Sequence, residues 1–133
     1  MGRKVVTNDM SVDKAEQVLS IQFPMLLREW IKSKNGFHRG GFRFYGVRDE
    51  EDVANTSDDI VRENTNEPAG WKKYLPEGYV AFADDGGQGC LALSTAKDGK
   101  FYYWNNEMGK LSVFAETEKE FKNTIEELEN QFS

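Results

Sequence analysis

The sequence predicts an α+β fold: a largely antiparallel sheet of about five strands with helices packed against it, in one domain over residues 1–133. Three observations predict it. Helical periodicity is confined to the two ends of the chain, and short apolar runs broken by Gly- and Asn-rich turns fill its middle. The length, 133 residues, is that of one ordinary domain. Short links between consecutive apolar runs favour antiparallel neighbours, because a parallel crossover needs a dozen or more residues.

The first helix is expected from Ser11 to Leu19, where Val12, Ala15, Val18 and Leu19 follow helical spacing. Asp13 and Glu16, three residues apart, fit a capping box at its start. Phe23-Pro24 interrupts this helix and opens a second, because proline disfavours helical geometry before it and suits a first turn. Leu26, Leu27, Trp30 and Ile31 form that second helix's apolar stripe, and Asn35-Gly36 provides a left-handed exit.

After the Gly40-Gly41 turn, the alternating run from Phe42 to Val47 reads as the first strand. Residues 48–67 are acidic, with Val53, Ala54, Ile60 and Val61 as their anchors, and read as two short surface helices. Pro68-Ala69-Gly70 and Pro76-Glu77-Gly78 bracket a connection that packs through Trp71, Tyr74 and Leu75. Four more strands follow, Tyr79 to Ala83, Cys90 to Ser94, Lys100 to Trp104 and Lys110 to Phe114, as a meander. Thr117 to Phe132 closes the chain as a helix with Phe121, Ile125, Leu128 and Phe132 on one face.

Composition narrows the function. Seventeen Lys plus Arg against 23 Asp plus Glu give a net charge of −6, which disfavours direct contact with the phosphates of DNA or RNA and favours a basic partner. No run approaches the roughly 20 apolar residues of a membrane-spanning helix, and the start of the chain has no apolar stretch of the kind that directs secretion. A cytoplasmic, membrane-free location is therefore expected. Cys90 is the single cysteine, which excludes an internal disulfide and a multi-thiolate zinc site, and no cofactor is implied.

Reactive groups are sparse. His38 is the sole histidine and is expected in a loop, so any triad would have to use it. Cys90 opens a predicted strand, where a buried, inert thiol is the ordinary outcome. Asp84 and Asp85 are adjacent, and adjacent side chains diverge, so turn-forming roles are expected rather than paired acid–base chemistry. Gly86-Gly87-Gln88-Gly89 lacks the Lys-Ser/Thr and the following helix that a phosphate-binding loop requires. Trp104-Asn105-Asn106 reads as a hairpin turn.

Charge is distributed unevenly. Residues 48–67 carry eight acids against two bases and residues 116–133 six against two, whereas Arg28, Lys32, Lys34, Arg39 and Arg43 between Pro24 and Tyr45 face only Glu29. This would make the molecule electrically two-sided. A solvated surface is the ordinary reading of either acidic run, and a docking face for a basic protein is the sharper one.

Three segments, in order, resemble the SUKH superfamily, which contains fungal cell-wall regulators of the Smi and Knr type and many bacterial toxin-immunity proteins. The first runs from Phe23-Pro24 through Trp30 to Asn35-Gly36. The second is Tyr79-Val80-Ala81-Phe82-Ala83-Asp84-Asp85-Gly86-Gly87-Gln88-Gly89-Cys90-Leu91-Ala92-Leu93, with Cys90 where these proteins often have Asp or Asn. The third is Lys100-Phe101-Tyr102-Tyr103-Trp104-Asn105 followed by the Thr117 helix.

The resemblance implies a non-catalytic domain that binds and neutralises a cognate toxin, frequently a nuclease. Together with the charge pattern it points to a protein partner, a basic toxin domain. The docking face would comprise Asp49, Glu50, Asp58, Asp59 and Glu63, with Trp71 as an apolar anchor. The alternatives are a cell-wall-type regulatory or scaffold module and a small hydrolase using His38 or the Asp84-Asp85 pair.

Overall fold

The structure is a computed structural model and describes residues 9–33, 36–47, 60–64, 71 and 74–132. Helix α1 (Asp9–Leu19) buries Val12 and Ala15 and stops at Ser20, whose φ of 56° is left-handed. There the Ser20 N–H donates to the Gln17 carbonyl and the Ile21 N–H to the Glu16 carbonyl, so two end carbonyls are satisfied. The capping box expected at Asp13 and Glu16 does not form, because both residues lie inside the helix. Their carboxylates instead accept from Arg28 of helix α2 (Met25–Ser33), each at 3.0 Å. Glu16 also takes the Phe23 N–H at 2.6 Å, which fixes the corner between the helices. Helix α2 begins as Pro24 requires, with the Arg28 N–H donating to the Pro24 carbonyl, and buries Leu27 and Ile31.

The sheet has six antiparallel strands in sequence order: β1 (Phe37–Arg39), β2 (Phe42–Phe44), β3 (Tyr79–Asp84), β4 (Gly89–Ser94), β5 (Phe101–Asn105) and β6 (Lys110–Ala115). Strand β1 is the addition to the expected five. Gly40 and Gly41, with φ of 59° and 86°, close it onto β2 as a two-residue hairpin, a turn that needs positive φ at both positions. His38 therefore sits in a strand, not a loop. Strand β2 is shorter than the predicted run and ends at Phe44.

One face of the sheet carries the core under helix α4 (Glu118–Phe132), which is capped where the Thr117 hydroxyl accepts the Glu120 N–H. Phe121 on α4 stacks on Phe101 at 4.2 Å between centroids and also meets Trp30, Phe44, Phe82 and Phe114. Two of these rings arrive by irregularity. The β3–β4 register shifts between Ala81 and Ala83, and the β5–β6 register passes from Ala115 to Val113. The extra residues are Phe82 and Phe114, and both turn their rings to Phe121. Such bulges also increase local twist. The sheet curls so far that Phe42 of β2 meets Phe114 of β6 at 5.9 Å, with three strands between them in the hydrogen-bonded order.

Of the two helices expected between 48 and 67, α3 (Ile60–Glu63) is described, and residues 48–59 and 65–70 lie outside the described residues. The Ile60 N–H donates to the Gly46 carbonyl at 2.7 Å, and Asn64, just past α3, pairs with β3 as a further strand would. Its Oδ1 accepts the Ala81 N–H and its Nδ2 donates to the Ala81 carbonyl, both at 2.7 Å, and Nδ2 also reaches the Ile60 carbonyl. Ala81 is fully buried, so this side chain satisfies backbone groups that the short β2 does not reach.

Candidate binding site

The face of the sheet opposite α4 carries a transverse row that the register defines strand by strand. His38 lies beside Arg43, Arg43 beside Asp84, Asp84 beside Cys90, Cys90 beside Trp104 and Trp104 beside Leu111. The end of this row nearest β1 lies in a cavity of about 680 Å³ lined also by Trp71, Tyr74, Asn106 and the glycines of the β3–β4 turn.

A hydrogen-bonded chain forms the floor. Asp84, 5% exposed, accepts from Arg43 at 2.7 Å and from the Tyr45 hydroxyl at 2.6 Å through Oδ2, and from the Gly86 N–H through Oδ1. The Tyr45 hydroxyl accepts in turn from the Trp71 indole N–H at 2.8 Å. Burial acts to raise the Asp84 pKa, but the bonds from Arg43, Tyr45 and Gly86 outweigh it and hold the carboxyl below its ordinary range. A buried, paired carboxylate thus ties β2, β3 and the Trp71 segment together. Sequence reading placed Asp84 in a turn, with a hydrolase pair as the alternative; the missed signal was an aspartate on a strand otherwise buried from Val80 to Ala83.

Asp85 points elsewhere, as adjacent residues should. Its Oδ1 accepts the Gln88 and Gly89 N–H groups, and its Oδ2 accepts the Tyr103 hydroxyl. The Gly86, Gln88 and Gly89 amides of the Gly-rich turn are therefore engaged by the chain's own carboxylates, which argues against the phosphate-loop reading. Gly86 and Gly87, with φ of 102° and 130°, supply backbone that other residues rarely adopt. Gly89 has a different reason: a Cβ there would collide with the Trp104 carbonyl and the Tyr103 ring.

The remaining candidates divide. Cys90 is fully buried, and burial, with Asp84 and Asp85 nearby, pushes its thiol pKa far up, so it packs as a small inert group. His38 is exposed at the cavity rim. The Trp104 indole N–H donates to Asn106 and Asn105 accepts from the Met108 N–H, as the hairpin reading expected. Trp71 is 8% exposed with its indole N–H engaged, so it contributes to the cavity wall, while Tyr74 beside it is 46% exposed. Asp49, Glu50, Asp58 and Asp59 lie outside the described residues, and Glu63 closes α3.

Among the described residues, the basic stretch between Pro24 and Tyr45 is met by carboxylates once the chain is folded. Arg28 pairs with Asp13 and Glu16, Lys32 with Glu29, Arg39 with Glu129 at 2.7 Å, and Arg43 with Asp84. Arg39 also lies 4.3 Å from the Trp30 ring centroid, and its bond to Glu129 lowers that carboxyl's pKa. The four described bases of the basic stretch are thus each compensated by a carboxylate, three of them drawn from distant parts of the chain.

No helix among the described residues is long and apolar enough to cross a membrane. Among these residues no group of three or more His, Cys, Asp or Glu is placed to hold a metal ion. A family model described as SMI1 / KNR4 family (SUKH-1) matches residues 7–124. Compared with the curated proteins, the chain finds no match.

Proposed function

Because the chain belongs to the SMI1 / KNR4 family (SUKH-1), we propose that it is a non-catalytic protein-binding domain, an immunity protein that binds and neutralises a basic toxin. The observation that carries this reading is the charge compensation just described. Arg28, Lys32, Arg39 and Arg43 are paired with carboxylates, while eight acids crowd residues 48–67 in a chain of net charge −6. Within that segment two residues are anchored to the fold, Ile60 bonded to Gly46 and Asn64 clamped to β3. Its carboxylates Asp49, Glu50, Asp58, Asp59 and Glu63 would imitate nucleic-acid phosphates toward a nuclease's basic groove. Complementary fields speed encounter and fade with salt. A non-catalytic role is supported by the engagement of Asp84 and Asp85 in internal bonds and by the burial of Cys90.

The test is charge reversal. Asp58→Lys with Asp59→Lys should slow association with the cognate toxin by about tenfold at low ionic strength and converge on the parent at high salt. An unchanged on-rate would remove this segment as the steering surface.

A further inference from the structure

Strand β2 parts from β3 early, and the space beyond it is only partly filled. The β3–β4 ladder fixes which backbone groups of β3 look into that space. The Thr95 N–H donates to the Gly78 carbonyl at 2.9 Å, so Gly78 turns toward β4. The N–H and C=O of Ala81 are both taken by Asn64 on the opposite side. Successive residues of an antiparallel strand alternate in this respect, so Val80 turns toward β4 and Tyr79 away from it. Strand β2 and its extension reach no farther along β3 than the Phe82 carbonyl, which accepts the Tyr45 N–H. The Tyr79 N–H and C=O therefore point where no described strand lies, and they meet no partner among the described residues.

These two groups open into a groove of about 720 Å³, bounded by Asn64, by Val18 and Leu19 of α1, and by Leu75 and Pro76. Val18 is 57% exposed at its rim. The Tyr79 ring is held elsewhere, edge-to-face with Tyr102 of β5 at 5.2 Å, with β4 lying between their strands. The outer edge at β6 is different. It begins with the exposed Lys110 and is bulged at Phe114, two features that discourage strand pairing.

We propose that this groove receives an extended, apolar segment of a partner protein. One residue of that segment lies beside Tyr79, in the line that β2 vacates, and exchanges two hydrogen bonds with its N–H and C=O. A donor and an acceptor carried by one strand residue are complementary to another strand residue, and the aliphatic walls give its neighbours apolar contact. Recognition is through backbone and aliphatic surface, so it does not depend on charge. The inference rests on the reading of the chain as a protein-binding domain and adds a contact separate from the acidic run.

The probes are two capped tripeptides, N-acetyl-Ala-Val-Ala-methylamide and the same peptide with its backbone nitrogens methylated, which keeps the apolar surface but removes the donors. In the free full chain the Tyr79 amide should exchange with deuterium far faster than that of Val80, its neighbour in the ladder. The unmethylated peptide should give saturable amide shifts at Tyr79, Leu75 and the Asn64 side chain at millimolar concentration. The methylated peptide should bind roughly fivefold more weakly. Val18→Ala, at an exposed helical position, should weaken the unmethylated peptide about threefold and leave the fold intact. A Tyr79 amide as protected as Val80 in the free protein would show the edge already covered and overturn the proposal. Equal binding of the two peptides, or shifts that do not saturate, would overturn it as well. None of these results bears on the Asp58/Asp59 association experiment, which succeeds or fails independently.

Discussion

Tyr45→Phe removes one oxygen atom and breaks two bonds of the cavity floor. The hydroxyl donates to Asp84 at 2.6 Å and accepts from the Trp71 indole at 2.8 Å, and Tyr45 itself is 1% exposed. The bond to Asp84 is charge-assisted, and such bonds contribute about 1.5–3 kcal/mol. The Trp71 N–H, on a residue 8% exposed, is left without a partner at a cost of about 1 kcal/mol or more. A loss of about 3 kcal/mol is therefore expected at neutral pH, measured by urea unfolding with an unchanged m value.

The deficit should depend on pH with a defined sign. Asp84 has a lowered pKa in the folded state, so its stabilisation is fully present above the unfolded value of about 3.9 and is lost as pH falls through the folded value. The gap between parent and Tyr45→Phe should accordingly narrow below about pH 4. A second arm, Trp71→Phe in both backgrounds, isolates the indole bond; its coupling to Tyr45 should be about 1 kcal/mol. A Tyr45→Phe loss under about 0.5 kcal/mol, or a gap constant down to acid unfolding, would refute the account of the floor as a coupled network.

Two further substitutions test the scaffold around the site. Asn64→Ala strips both partners from the buried backbone of Ala81 and should cost about 2–3 kcal/mol in urea unfolding, with the Ala81 amide losing hydrogen-exchange protection; Asn64→Asp, which keeps the acceptor but sets a carboxylate against the Ala81 carbonyl, should not restore it. Ser20→Gly, at φ 56°, relieves a left-handed serine at the end of α1 and should stabilise by roughly 0.5 kcal/mol, visible as a small rise in Tm; a fall would show that the serine side chain contributes more than its backbone strain costs.

Local chemistry carried much of the architecture. Pro24 opens α2 where proline geometry requires, Gly36 has the left-handed φ expected of it, and the glycine turns separate β3, β4, β5 and β6 where the alternation breaks. The stripe of Phe121 and Ile125 identified the buried face of α4. Strand β1 was legible too, because Gly40-Gly41 between Phe37-His38-Arg39 and Phe42-Arg43-Phe44 is a two-residue hairpin signal, but three residues are too few for alternation to register.

The sequence by itself determined the class of the fold, the order of nearly all its elements, the single thiol and histidine, and the excess of acid. Only the tertiary structure decided which charges cancel, that Phe82 and Phe114 enter the core through bulges, that Asn64 serves as a strand, and that Asp84 belongs to a floor shared with Tyr45 and Trp71. The physical reason is range. Periodicity, turn dihedrals and caps are settled within a few residues, whereas ion pairs such as Arg39 with Glu129, 90 positions apart, and register shifts between strands exist only once the sheet has closed around α4.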